Sequence, residues 1–152
     1  MNLVEATVEN GEVSFGPQRL RIDRARPGLT RYRGKRIALG MRPEDLEDAQ
    51  LVGGSAEDAS FEAEIDIRED MGSEVFLHFA LDARAVITED VRDAAEDEAV
   101  EAAEAQAEVR GHQCVARVAR ESGIREGDRA RLAVRTDRLH FFDLETGSAI
   151  YD

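Results

Sequence analysis

Apolar and polar residues alternate along much of this chain, which is the two-residue period of a β-strand with one buried face. The clearest case is Phe61–Arg68, where an apolar residue occupies every second position. A second such strand, Ser73–Leu81, follows after a short connection that ends in Gly72. Because glycine adopts positive φ at little steric cost, this spacing predicts a β-hairpin with Gly72 in its turn. The same alternation over Arg129–Arg135 predicts a further strand.

Shorter alternating runs extend this pattern to both ends of the chain. The last predicted hairpin joins Leu139–Phe142 to Ser148–Tyr151. We expect Phe142 to fill the core, Asp143 to begin the turn and Gly147 to close it, because Asp and Gly favour turn geometry. Close spacing of many short strands is typical of an all-β barrel or sandwich. The remaining strand candidates are Glu12–Phe15, Leu20–Ile22, Arg36–Met41, Ala83–Ile87 and Gln113–Ala119.

One segment, Thr88–Arg110, departs from the strand pattern. It holds nine acidic residues and two arginines, so it carries −7 of the chain's net charge of −13. Seven alanines and the absence of Gly and Pro favour a helix, which Thr88 can cap. Its valines offer little surface to bury, so the sequence predicts a solvated helical insertion; an acidic docking arm is the alternative. The loop Glu47–Ser60 then divides the chain into a module over 1–51 and a second over 52–152 that contains the insertion 88–110.

Composition limits the classes of partner. A net charge of −13 repels phosphate backbones and anionic membrane surfaces, so we expect no nucleic-acid partner. Aromatic residues make up only 5% of the chain, too few for a base-stacking groove. Cys114 is the one cysteine, which excludes an internal disulfide, fits a reducing compartment and predicts a buried apolar role. No apolar run in the sequence approaches the ~20 residues that cross a bilayer.

The sequence contains no recognisable catalytic motif. The phosphate-binding loop G-x-x-x-x-G-K-[ST] and the nucleophile motif G-x-S-x-G are both missing. His78, His112 and His140 are far apart and lack metal-ligand spacing with Cys114. We therefore predict that the chain is not an enzyme and that it holds neither a metal nor a cofactor.

Four separated motifs carry a family resemblance. Leu39–Asp45 contains Gly40, Arg42, Pro43 and Glu44 in the pattern G-[IVM]-R-P-E. Strand 61–68 is followed by Glu69–Glu74, in the pattern E-x-[LM]-G-x-[ED] around Gly72. The others are Ile124–Asp128, a G-[DEQ] element before a strand, and His140–Ile150, in the pattern H-x-F-D-x-x-[TS]-G-x-x-[IL] around Phe142, Asp143 and Gly147. In this order and spacing they resemble the C-terminal regulatory (TOBE/OB-like) domain of the ATP-binding subunit of maltose-type carbohydrate ABC importers.

The resemblance implies a fold and a function. The fold would be a pair of OB-like barrels (tandem TOBE/MOP-like) that borrow strands from across the chain. The function would be non-catalytic: regulation, and dimerisation that holds two ATPase subunits together while ATP and Mg²⁺ bind elsewhere in the parent protein. Met1–Asn2 resembles the end of the junction after the nucleotide-binding domain, so we expect a piece of a longer protein.

The same resemblance implies partners and a location. The partners would be the chain's own nucleotide-binding domain, a second copy of the subunit, the permease subunits and, in some members, a regulatory protein. The location would be cytoplasmic, at the inner face of the membrane. The alternative is a module that binds a small ligand, an oxyanion or a sugar, although the net charge of −13 opposes oxyanion capture.

The residues around Pro43 also have a direct physical interpretation. Proline fixes φ and lacks an N–H group, so strand 36–41 must end there. Arg42 and Glu44 flank this end, and an arginine can donate two parallel hydrogen bonds to a carboxylate. Either a local salt bridge or a contact with a neighbouring domain explains them, and the sequence leaves both open.

Overall fold

The described residues of the computed structural model, 1–22, 26–53, 59–84, 86 and 112–151, form ten β-strands in two five-stranded sheets. Short 3₁₀ helices at Pro27–Tyr32, Pro43–Asp45 and Thr136–Arg138 connect some of them. None of the helices in this part of the chain is long and apolar enough to span a membrane. The strands are β1 Asn2–Glu9, β2 Glu12–Phe15, β3 Gln18–Arg21, β4 Arg36–Met41, β5 Leu46–Asp48, β6 Ser60–Asp70, β7 Glu74–Leu81, β8 His112–Ala119, β9 Arg129–Val134 and β10 His140–Phe142.

The first sheet has the strand order β10-β4-β1-β2-β3, with every neighbouring pair antiparallel. Asn10 and Gly11 connect β1 to β2 with φ values of 53° and 78°. Two successive positive φ values are the geometry of a type I′ hairpin turn, for which Asn-Gly is the preferred pair. β10 joins this sheet from the far end of the chain, so the first sheet is completed only when the last residues fold back onto β4.

The second sheet has the strand order β5-β9-β6-β7-β8. The first half of β6 pairs with β9 and the second half with β7, with an irregularity in register between Ile65 and Ile67. A β-bulge bends its strand, so β6 can pair with β9 over its first half and with β7 over its second half. The same bend curves the sheet. At the open side, the Glu47 carboxylate of β5 accepts the Ala119 N–H of β8 at 3.0 Å. The sheet is therefore a nearly closed barrel.

A single apolar core joins the two sheets. The rings of Phe15 and Phe61 meet edge to face with centroids 5.8 Å apart, and Phe61 lies 5.8 Å from Phe79. Phe15 belongs to the first sheet and the other two to the second. Aromatic pairs in this geometry add to the apolar area that they bury. The sheets are thus two parts of one folding unit rather than separate cores.

Hydrogen bonds between the sheets supplement this core. The Asn2 side chain donates to the Val115 carbonyl at 2.8 Å and accepts the Val115 N–H at 2.9 Å. Gln18 Nε2 donates to the Glu62 carbonyl at 3.1 Å. Asn2 is only 6% exposed, so its amide satisfies two backbone groups that would otherwise be buried without partners.

The predicted all-β, OB-like fold class is confirmed, and most of the predicted strands are present. β1 and β5 were not predicted. A strand over Ala83–Ile87 is wrong in its described part, since Ala83, Arg84 and Val86 lie outside strands. The last hairpin is shorter than expected: β10 ends at Phe142, and the returning segment makes one isolated bridge at Ala149.

Two further expectations keep their status as predictions. The acidic helical insertion 88–110 lies outside the described residues. The module boundary between 51 and 52 also stays a prediction, and β5, which precedes it, pairs with β9 of the second sheet.

Candidate functional site

The first and fourth family motifs lie side by side in the first sheet. β10 pairs with β4 so that His140 is opposite Gly40, Phe141 opposite Leu39 and Phe142 opposite Ala38. β4 ends at Met41, and the chain turns into the helix Pro43–Asp45, as the proline predicts. Motifs separated by about a hundred residues therefore form one continuous surface, although nothing in their local sequence places them together.

Gly40 is where this surface packs most tightly. A Cβ atom added there would lie 2.5 Å from Met1 Sδ and 3.2 Å from both His140 Cβ and Phe142 Cε2. The rings of His140 and Phe142 stack at 6.5 Å with an interplanar angle of 20°. Gly40 therefore provides the space in which β10 and its two rings lie against β4.

The expectation that Phe142 fills the core is wrong. Phe141 is 2% exposed and belongs to the core, whereas Phe142 is half-buried on the outer face with His140. Successive residues of a strand point to opposite faces, so only one of two adjacent phenylalanines can face inward. The register of β10 against β4 selects Phe141.

The turn after β10 has the predicted Asp143 and Gly147 roles. Asp143 Oδ1 accepts the N–H groups of Glu145 at 2.8 Å and Thr146 at 3.0 Å, and Gly147 has a φ of 71°. Tyr32 donates its hydroxyl to Asp143 Oδ2 at 2.8 Å. The Thr146 N–H, followed by the Tyr32 hydroxyl and the Glu145 N–H, lowers the pKa of Asp143. The hydrogen bond from the Tyr32 hydroxyl to Asp143 also raises the pKa of Tyr32.

A cleft of about 420 Å³ lies beside β10. Arg26 is one of its lining residues and stacks its guanidinium 5.0 Å from the centroid of the Phe141 ring. Arg26 Nη1 donates to the Leu139 carbonyl at 2.7 Å, and Nη2 donates to the Asp137 carbonyl at 3.1 Å. Arg26 therefore fixes the connection between β9 and β10 from below. The lining also includes Arg42, Asp45, Arg138, His140, Phe142, Ile150 and Tyr151.

Arg42 and Glu44, at the end of β4, are both exposed. Neither side chain has a hydrogen bond or an ion pair to another residue within the described part of the chain; the Arg42 carbonyl accepts the Asp45 N–H at 3.0 Å. The local salt bridge considered from the sequence is thus not observed there, and the contact with a neighbouring domain stays a prediction. Asp45, the next residue, is buried, and its Oδ1 lies 3.8 Å from Arg138 Nη1.

The second and third motifs meet in the other sheet, at the bulge of β6. Gly127 donates its N–H to the Ile65 carbonyl at 2.7 Å, and Ile65 donates to the Asp128 carbonyl at 2.9 Å. Arg68 Nη1 donates to the Ile124 carbonyl at 2.6 Å. Gly72 has a φ of 89° in the β6–β7 turn, as predicted, and does not line the cleft beside β10. These motifs fix the barrel rather than a site.

The cysteine and His78, which could be chemically active, have structural surroundings that explain them. Cys114 is buried among apolar residues, as predicted. Burial raises the pKa of its thiol to about 12, which makes the thiol a poor nucleophile. His78 Nε2 lies 2.7 Å from Glu69 Oε1. Among the residues that the structure describes, no group of three or more His, Cys, Asp or Glu side chains is arranged to hold a metal ion.

A second groove, of about 660 Å³, is polar and runs along the first half of β6. Glu62 in it binds Arg129 Nε at 2.9 Å and Arg131 Nη2 at 3.1 Å. The hydrogen bond from Arg129 and the charge of Arg131 lower the pKa of Glu62. The two arginines thus neutralise Glu62, while Glu64, Asp66 and Asp82 leave the lining of the groove acidic.

Two residues of structural importance were missed by sequence reasoning. Asn2 was noted only as part of a junction motif, and Arg26 was not noted at all. Both act through contacts more than a hundred residues distant in sequence. A polar residue at an inward position of β1 is the one local signal that could have pointed to Asn2.

Comparison with known proteins agrees with the motifs. Residues 1–46 match the family model described as the MalK OB fold domain. The chain is 27% identical over 150 residues to the trehalose import ATP-binding protein SugC of Mycobacterium tuberculosis, covering 97% of this chain and 35% of SugC. It is 26% identical over 149 residues to the oligosaccharides import ATP-binding protein MsmX of Bacillus subtilis, covering 96% and 33%.

A third relative is the trehalose/maltose import ATP-binding protein MalK of Thermococcus litoralis, 29% identical over 156 residues, which cover 99% of this chain and 34% of that protein. The chain thus spans about a third of the length of these relatives. The resemblance to ATP-binding subunits of carbohydrate ABC importers is confirmed.

Proposed function

We propose that this chain, whose first 46 residues match the MalK OB fold domain, is the regulatory domain of the ATP-binding subunit of a carbohydrate ABC importer. The observation that carries the proposal is the extent of the match. Similarity to SugC covers 97% of this chain but only 35% of SugC, and the sequence has no phosphate-binding loop. In this interpretation ATP and Mg²⁺ bind in another part of the subunit, and this domain is non-catalytic.

The domain would act mechanically, as a dimerisation element. Two copies in contact hold two ATPase subunits together, so that each nucleotide-dependent closure becomes an intramolecular event at high effective concentration. Such a contact needs a surface that keeps its shape through the cycle. The shared core, the Asn2 link and the hydrogen-bonded turn at Asp143 support this requirement.

The remaining partners follow from the same assignment. The exposed end of β4, with Glu44, suits a contact with the chain's own nucleotide-binding domain. The permease subunits would be reached through the parent subunit, which places the domain in the cytoplasm at the inner face of the membrane. A regulatory protein is a further candidate partner.

The dimerisation role is tested in two measurements. Sedimentation equilibrium of the 152-residue chain is expected to show a monomer–dimer equilibrium, with a mass rising from 16.8 kDa towards twice that value. In the parent subunit, deletion of these residues is expected to weaken subunit pairing and transport. If the chain stays monomeric at every concentration and the truncated parent still pairs and transports, the role is excluded.

A further inference from the structure

We propose that the cleft beside β10 binds a small organic anion. A phosphate or carboxylate group would be held by Arg42 with support from Arg138 and His140, and its carbon skeleton would lie against Phe142 and Tyr151. This inference goes beyond the proposed function, because neither dimerisation nor a contact between domains requires a small-molecule site.

The charge of the cleft differs from that of the whole chain. Its lining contains Arg26, Arg42 and Arg138 against Asp45 and Asp137, whereas the chain as a whole carries −13. Screening reduces the effect of charges beyond about 8 Å at physiological ionic strength, so a small ligand responds mainly to the local charges. The net charge that argued against oxyanion capture therefore does not describe this position.

The charged groups that line the cleft differ in whether their side chains already have partners in the protein. Arg26 donates to backbone carbonyls beneath β10, and the buried Asp45 carboxylate faces Arg138 at 3.8 Å. Arg42 is exposed, and its five N–H donors have no acceptor within the described part of the chain. A guanidinium offers two parallel donors that match the oxygens of a carboxylate or phosphate. Arg42 is therefore the principal anion-binding group, and the exposed Asp137 opposes it.

The cleft also has an apolar wall, formed by Phe142, Ile150 and Tyr151. Phe142 stacks with His140, Ile150 is half-buried, and Tyr151 is 81% exposed. Ring faces of this kind pack against the carbon skeleton of a ligand. An inorganic ion has no such skeleton, so these rings favour an organic anion. A volume of about 420 Å³ falls within the usual range of small-molecule sites.

The apolar wall and the segment that carries Arg138 are held in place before any ligand binds. Arg26 fixes the segment 136–139, which includes Arg138. Gly28 lies so close to Tyr151 that an added Cβ would overlap the Tyr151 carbonyl oxygen. Contact between this glycine and the last described residues fixes the apolar wall. A preorganised cleft loses less entropy on binding than a flexible one.

The ligand class can be tested with three probes and the full 152-residue chain. Glucose 6-phosphate combines the anion with a carbon skeleton, inorganic phosphate has the charge alone, and glucose has the skeleton alone. Calorimetry at physiological ionic strength, where the distant acidic residues are screened, is expected to show saturable binding of glucose 6-phosphate, weaker binding of phosphate and none of glucose. No saturable binding of glucose 6-phosphate, or equal binding of it and either simpler probe, would overturn the proposal.

Two matched variants locate the binding on the cleft. Arg42→Gln is expected to weaken glucose 6-phosphate binding about tenfold or more, because a charge-assisted hydrogen bond is lost. Arg36→Gln, which changes an exposed arginine at the other end of β4, is the control and should leave the affinity unchanged. Both side chains are exposed, so circular dichroism should show both variants folded. Equal effects of the two substitutions would place the binding elsewhere and contradict the proposal.

Discussion

At the scale of single residues, Gly40 is the position at which the packing of β10 on β4 can be tested directly. The Gly40→Ala variant would place a methyl group 3.2 Å from atoms of His140 and Phe142, which β10 holds against β4. Met1 Sδ, at 2.5 Å, lies near the end of a long, half-exposed side chain that can move aside. We expect the free energy of unfolding to fall by about 1–2 kcal/mol, as in other overpacked sites. Urea denaturation followed by circular dichroism measures it.

Gly123→Ala is the matched control for this substitution. An added Cβ at Gly123 meets nothing within 4 Å, and the residue does not have a positive φ. Its free energy of unfolding should stay within about 0.5 kcal/mol of the parent chain, as for most surface changes. Equal stabilities for the two variants would show that β10 does not pack on Gly40 as described.

The sequence was most informative where a residue has a local role and least where its role depends on register. Pro43 at the end of β4, Gly72 in its hairpin and Asp143 in its turn were predicted because each acts on its own backbone neighbours. Phe142 was assigned to the core in place of Phe141, since alternation alone does not say which phase of a three-residue strand faces inward.

At the scale of secondary structure, Asn2 provides the most specific link between strands of different sheets. Asn2→Ala would leave the Val115 N–H and carbonyl groups of β8 without their partners at a position that is only 6% exposed. An unsatisfied buried polar group costs about 1–3 kcal/mol, so we expect a loss of about 2–4 kcal/mol in unfolding free energy. Thermal denaturation should show a fall of about 2–4 °C in Tm per kcal/mol lost.

Thr7→Ala on the same strand is the control for Asn2→Ala. Thr7 is exposed on the outer face of β1, and removing its side chain leaves Asn2 and Val115 untouched. A Thr7→Ala variant that loses as much stability as Asn2→Ala would indicate that the effect comes from β1 as a whole, not from the link to β8.

The two strands that were not predicted differ in how much of their pattern the sequence contains. β1 alternates apolar and polar residues over Val4–Glu9, so its pattern is present in the sequence, and only the inward polar Asn2 departs from it. β5 has only three residues and is recognisable through its pairing with β9. Strand propensity reflects cross-strand packing more than local sequence, which a single sequence does not display.

At the scale of the whole molecule, the cleft shows why the site could not be assembled from motifs alone. The arginines proposed to hold the anion are Arg42, at the end of β4, and Arg138, between β9 and β10. Family resemblance indicated residues 39–45 and 140–150 as important, but not that strand pairing joins them. Arg26, which fixes the position of both β10 and residues 136–139, lies in neither motif.

The same long-range construction predicts how the molecule unfolds. The first sheet is completed by β10, its Phe15 packs on Phe61 of the second sheet, and Asn2 binds β8. Because neither sheet can keep its core side chains buried without the other, we expect a single cooperative transition. Native-state hydrogen exchange should give the most protected amides of β4 and β7 the same free energy of opening, equal to the global value.

The Asn2→Ala variant provides a second test of the single cooperative transition. If the two sheets unfold as one unit, the substitution should lower the opening free energy of β4 and β7 amides by the same amount. Amides of β4 that exchange through a lower-energy opening than those of β7 would instead show that the first sheet opens alone. In that case the two sheets would be separate cooperative units joined by contacts weaker than the shared aromatic cluster implies.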